Sequence, residues 1–191
     1  MSVANARGVI TSKDVIHLGV RTRFLAELAD KGTLQRVGRG VYRSPQSLFS
    51  GNQGLVEVAA RCPKCVVCLL SALAFHGIGT QLPPAVWIAI PTHGRAPALG
   101  SVQVEIVRMS PRLLAEGVAE HLLEGVPVRI TSAVKTVVDC FRYRSRVGTD
   151  AVIEALRDGL RRRHFTSDEL YRMAEIEHMW RVIEPYAEAI S

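Results

Sequence analysis

Four residues in one short stretch, Arg21, Arg23, Ala26 and Glu27, have the side chains that read the edges of base pairs. An arginine fork reaches guanine O6 and N7, an alanine methyl touches the methyl of thymine, and a carboxylate accepts from cytosine N4. Thr22 stands among them. Arg39, flanked by Gly38 and Gly40, sits where a loop tip would enter a minor groove or grip a phosphate. Lys13, Lys31, Arg36 and Arg43 suit phosphate contacts, which position a protein on a duplex without reading its sequence. The plain alternative for each is a solvated surface side chain. Glu27 is also spaced to pair with Arg23 or Lys31, both four residues away.

The elements that must carry these residues lie between Thr11 and Arg43, in TSKDVIHLGVRTRFLAELADKGTLQRVGRGVYR. Thr11 or Ser12 can cap a first helix, whose apolar side is Val15, Ile16 and Leu18. Gly19 suits the exit from that helix. A second helix runs from Arg21 or Thr22 to Lys31, with Phe24, Leu25 and Leu28 on one face and Gly32 just beyond its end. Leu34, Val37, Val41 and Tyr42 then form a hairpin around Gly38 and Gly40. Helix, turn, helix and wing, in that order, is how winged-helix proteins place a recognition helix in the major groove. Charge placement agrees. Five of the six net positive charges fall within the first 50 residues, a local excess that forms a footprint for phosphate.

A hydrophobic share of 48% over 191 residues describes a globular protein with a core. The longest apolar run, from Val66 to Phe75, is interrupted by Ser71 and too short to span a bilayer. The opening MSVANARG lacks the apolar centre of a signal peptide, so a cytoplasmic protein with no membrane partner and four reduced cysteines is expected.

Polar, turn-rich residues from Ser44 to Gly54 suggest a boundary. The expected division is a winged helix-turn-helix DNA-binding domain over 1–50 and an α/β domain over 51–191. The fold class is α+β, with a small sheet and C-terminal helices in the second domain. Helices are expected over Leu55 to Arg61 and Val66 to His76. Strands are expected over Ala85 to Ile90, Val102 to Val107, Ala119 to Leu123 and Val126 to Ile130, the last two as a hairpin about Glu124-Gly125. Helices follow from Ser132, from Thr149 or Asp150, and from Thr166 or Ser167; Pro185 marks a break or a new start.

Other constellations point to structure rather than chemistry. Cys62, Cys65 and Cys68 have the spacing of zinc or iron–sulfur ligands, but such sites take a fourth ligand. Only Cys140 and His76 remain, and neither is spaced to serve. No metal and no cofactor is expected. His76 beside Gly77 suits the end of a helix, and Lys135 with Asp139 reads as a local ion pair. A metal-dependent nuclease core would place a lysine two residues after a strand carboxylate; Glu105 is followed by Val107 instead. No catalytic residue is assigned, and a nuclease-like second domain targeted by a winged helix is the alternative. A second basic concentration, Arg142, Arg144, Arg146, Arg157 and Arg161 to Arg163, fits solvated helix ends or an extension of the nucleic-acid contact.

The segments LQRVGRGVYRSP, VCLLSALAFHGIGTQLP, VWIAIP, VPVRITSAVKTVVDCFRYRSRVG and AVIEALRDGLRRR resemble those of AbiEi-type antitoxins, winged-helix transcriptional regulators of bacterial toxin–antitoxin pairs. The resemblance runs along nearly the whole chain, and TSAVKTVVDCFRYR is its most specific part. It implies a repressor that binds repeats in its own promoter. It also implies a partner toxin of the AbiEii type, similar to nucleotidyltransferases, neutralised without a stable complex. In one respect the chain departs from the family: only seven residues precede Gly8-Val9-Ile10-Thr11, where relatives carry a full helix. Absence of that helix would leave part of the apolar surface uncovered, so either the first helix is very short or cover comes from the second domain or a partner.

Overall fold

The structure is a computed structural model describing residues 9–38, 40–45, 51–99 and 102–190, with Lys13 described by its backbone alone. It is mixed α+β with two sheets. The chain forms two compact units: Met1–Lys64 with Pro97–Val102 and Glu120–Val128, and Cys65–Ala96 with Gln103–Ala119 and Arg129–Ser191.

The first unit begins with strand β1 (Val9–Thr11), followed by two short helices, α1 (Ser12–His17) and α2 (Arg23–Asp30). Strands β2 (Gln35–Gly38) and β3 (Val41–Arg43) come next, then helix α3 (Gln53–Arg61). The strands form an antiparallel sheet of order β1-β3-β2. Ile10 of β1, Val15 of α1, Leu25 of α2, Leu34 just before β2 and Tyr42 of β3 make a buried cluster. Helix α3 lies beyond residue 50, yet it packs on β2: a Cβ added to Gly38 would lie 2.9 Å from the Cβ of Ala60.

Strands β4 (Val66–Val67), β5 (Val86–Pro91), β6 (Val104–Met109), β7 (Val118–Leu123) and β8 (Val126–Thr131) form a mixed sheet of order β6-β5-β4-β8-β7. The helices of the second unit are α4 (Leu69–His76), α5 (Pro111–Ala115), α6 (Ala133–Arg142), α7 (Arg144–Val147), α8 (Thr149–Arg161), α9 (Ser167–Ile176) and α10 (Trp180–Glu188). Helix α6 is buried along almost its whole length and contributes Val137, Val138, Cys140 and Phe141 to the core.

Several elements differ from the sequence expectation. Val66 to His76 is not one helix: Val66 and Val67 pair with Ala89 and Ile88, and Val67 also pairs with Ile130. A short apolar run serves a buried strand as well as a buried helix, and here the sheet takes it. Helix α5 is additional, started by Ser110, whose hydroxyl accepts from the Leu113 amide, with Pro111 at its first position. Pro185 lies inside α10 rather than at an end. It removes one amide from the helix, while Ile183, Tyr186 and Ala187 hold the segment against the core. No helix among the described residues is long and apolar enough to cross a membrane.

Candidate nucleic-acid interface

Helix α1 starts with a capping box. The Thr11 amide donates to Asp14 Oδ2 at 2.7 Å, and the Asp14 amide donates to Thr11 Oγ1 at 3.3 Å. Gly19, at φ 72°, turns the chain out of the helix, and the Val20 amide donates to the Val15 carbonyl at 2.8 Å. Helix α2 then turns Leu25 into the cluster at 2% exposure, with Leu28 and Ala29 beside it. At 100° per residue this sends Arg23 and Glu27 to the opposite side. Arg21, Thr22, Arg23 and Glu27 are all exposed, and Ala26 is half-buried.

Of the two lysine or arginine partners open to Glu27, the structure has it with Arg23, Nε to Oε1 at 3.1 Å. Lys31 and Arg36 are exposed. Arg43 is half-buried and donates to Gln35 Oε1 at 2.8 Å from the facing position on β2. Two assigned residues fall outside this description: Arg39 lies outside the described residues, and so does the side chain of Lys13.

The glycines of the hairpin have packing duties. The Gly40 carbonyl accepts from the Ser12 amide at 2.7 Å, and a Cβ at Gly40 would meet Ser12 Oγ at 2.7 Å. Gly40 also holds φ 70°, which a side chain would strain. Gly38 is pressed against Ala60, and a bulge separates Arg36 from Gly38. Helix α3 was not part of the sequence-derived interface. Arg61 Nε donates to the Val37 carbonyl at 2.8 Å and its Nη2 pairs with Glu57 at 2.8 Å. Arg36, Val37, Gly38, Ala60, Arg61 and Ala98 line an open cleft of about 490 Å³.

The apolar faces are less covered than their pattern suggests. Ile16 and Leu18 are each 61% exposed, Phe24 50% and Val20 39%. Helix α1 has six residues, and only Val15 of its apolar side reaches the cluster.

Elsewhere, most of the second arginine concentration holds the fold together. Arg142 donates to the Glu177 carbonyl at 2.5 Å, Arg144 to that of Phe141 at 2.9 Å, and Arg162 to that of Gly77 at 2.6 Å. Arg146 donates to the Ile106 carbonyl at 2.9 Å, pairs with Glu105 at 2.7 Å and lies 4.9 Å from the Trp87 ring centre. Glu105, the carboxylate a nuclease core would need, is therefore tied to an arginine. His76 Nε2 lies 2.7 Å from the Thr131 carbonyl, a structural contact.

Lys135 and Asp139 do pair, with Nζ to Oδ2 at 3.2 Å, but fully buried and with a third member absent from the sequence reading. Glu177 Oε1 lies 2.5 Å from the same ammonium. Burial pushes Asp139 up to about 8; Lys135 pulls it down and Glu177 pushes it further up.

Cys62 and Cys65 are disulfide-bonded, which corrects the expectation of four reduced thiols. Cys68 and Cys140 are free and buried, and burial raises both. No group of three histidine, cysteine or carboxylate side chains among the described residues is arranged to hold a metal ion.

The segment carrying the exposed α2 face and the hairpin is also the one that known sequences match. Residues 1–45 match the family described as transcriptional regulator, AbiEi antitoxin. The AbiEi match is to regulators and antitoxins rather than to enzymes, and it ends just past β3. No curated protein matches the chain. Among solved structures, the crystal structure of the RV2827C protein from Mycobacterium tuberculosis is similar, with a TM-score of 0.61. That likeness covers 96% of this chain and 72% of the other at 15% identity, a similarity of fold alone.

Proposed function

We propose that this protein is a sequence-specific DNA-binding repressor of the AbiEi type, the antitoxin of a toxin–antitoxin pair that represses its own promoter. The observation that carries the reading is the outward face of α2. Arg23 and Glu27 on the helix, and Arg21 and Thr22 just before it, are exposed to solvent after a glycine turn, in the segment that matches AbiEi regulators. In this reading α1, the turn, α2 and the β2–β3 hairpin are a winged helix-turn-helix, and α2 enters the major groove. Arg21 and Arg23 read guanine, Glu27 reads cytosine, and Ala26 faces a thymine methyl. Lys13, Lys31, Arg36 and Arg43 hold phosphates, and Arg39 at the tip of the wing reaches the neighbouring groove or strand.

The DNA partner is a repeat operator in the promoter. The functional partner is an AbiEii-like nucleotidyltransferase toxin, countered through the second unit without a stable complex. The enzyme alternative has less support, because Glu105 is held by Arg146. Fluorescence anisotropy on promoter DNA, with and without magnesium, separates the two: binding that leaves the probe intact supports the repressor, and magnesium-dependent cleavage supports the enzyme.

A further inference from the structure

We propose that Phe24 is a further base-reading residue of α2, its ring meeting the C5 methyl of a thymine on the floor of the major groove. The proposal rests on the function proposed above and adds to it a contact of different chemistry, one that makes recognition depend on a single methyl group.

The apolar pattern groups Phe24 with Leu25 and Leu28, which predicts a core side chain. The structure separates them. Leu25 is 2% exposed and Leu28 packs on the buried cluster of the first unit, whereas Phe24 stands outside that cluster at 50% exposure. A single exposed apolar side chain is ordinary. What distinguishes this one is its setting.

The Phe24 amide donates to the Arg21 carbonyl at 3.0 Å, so the two residues stand one turn apart at the start of the helix. Residues near the start of a recognition helix are the ones that reach base edges. At 100° per residue, Phe24 lies about 60° round the helix from Glu27, which pairs with Arg23 at 3.1 Å. Ala26 lies on the other flank of that pair. The two apolar side chains therefore bracket the charged ones.

The chemistry of the patch selects its occupant. An exposed ring beside two exposed guanidiniums matches the major groove, where phosphates border the cleft and thymine methyls are the apolar points within it. A protein partner, or a second copy of this chain, would have to bring carboxylates to the arginines and an apolar socket to the ring. The duplex supplies both in one ligand.

The test is fluorescence anisotropy of the full chain on its own promoter duplex, and on the same duplex with deoxyuridine replacing thymidine at one position at a time. Uracil keeps the base pairing and removes only the methyl. The wild type should lose about fourfold in affinity at one thymine, the effect of one buried methyl. Phe24→Ala should bind the promoter more weakly by at least that factor and lose the uracil penalty at that position. A wild type indifferent to every uracil, or a variant that keeps every wild-type penalty, would overturn the proposal. Two measurements without DNA test the other occupants: the urea midpoint and the sedimentation coefficient should match between the two proteins. A markedly lower midpoint in Phe24→Ala would mean that another part of the chain covers the ring, and a wild-type dimer that the variant dissolves would place a second copy there; either result overturns the proposal. Absence of promoter binding by the wild type refutes the DNA reading and this contact with it, whereas promoter binding insensitive to uracil refutes the role of Phe24 alone.

Discussion

Gly38 lies so close to Ala60 that a Cβ on the glycine would stand 2.9 Å from the alanine Cβ and 3.0 Å from its carbonyl carbon. Strand β2 and helix α3 therefore meet backbone to backbone, and the wing strand takes its position from a helix that follows it in the chain. Gly38→Ala should destabilise the protein by about 1–3 kcal/mol, the usual effect of overpacking against atoms that cannot move aside. Chemical denaturation measures it. A change within about 0.5 kcal/mol, the range of ordinary surface substitutions, would mean that the two elements are free to separate.

The Thr11–Asp14 capping box organises the first turn of a helix with only six residues. Thr11→Ala should cost about 1 kcal/mol, and Thr11→Ser should restore most of it, because the serine hydroxyl can make the same bond. Faster amide exchange across α1 in the alanine variant would locate the loss.

Asp139 gives the second unit a pH dependence of definite sign. Its carboxyl is raised to about 8 by burial, so the folded chain holds a proton there that the unfolded chain releases in the ordinary carboxylate range. That contribution to stability is complete below the unfolded pKa and is lost as pH rises through about 8. Asp139→Asn carries the hydrogen permanently. Its stability relative to the wild type should rise with pH across that window, and parallel pH profiles for the two proteins would refute the assignment.

Arg23 and Glu27 should act together. Arg23→Ala is expected to cost about 1–3 kcal/mol of discrimination at one base pair, and Glu27→Gln to relax the preference at the same or the adjoining pair. Arg36→Ala should weaken binding evenly across sequences and lower the salt slope by about one. Selection from a randomised operator library, followed by titration at several salt concentrations, distinguishes base reading from phosphate holding.

The elements around the candidate interface were legible because local signals set them. Thr11 caps, Gly19 and Gly32 end helices at positive φ, and the hairpin forms about Gly38 and Gly40. Long-range packing was not legible. Val66 and Val67 read as helix because nothing local announces the strands on either side of them. Glu177 lies 42 residues from Lys135 and gives no sequence sign of joining it. The apolar pattern also promised more burial than α1 and α2 achieve: Phe24 has the right spacing but is half-exposed, since the pattern records which residues suit a core and not whether one is there to receive them. Arg142, Arg144 and Arg146 looked like surface charge, yet each ends on a backbone carbonyl of the fold.

The most direct measurement is the affinity of the full chain for its own promoter DNA, compared with a variant carrying Arg21→Ala and Arg23→Ala together. The wild type should bind with a log–log salt slope of roughly five to seven, and the variant should lose about tenfold or more in affinity together with its preference for promoter over unrelated sequence. Equal affinity of the two proteins for promoter DNA would contradict the placement of α2 in the groove.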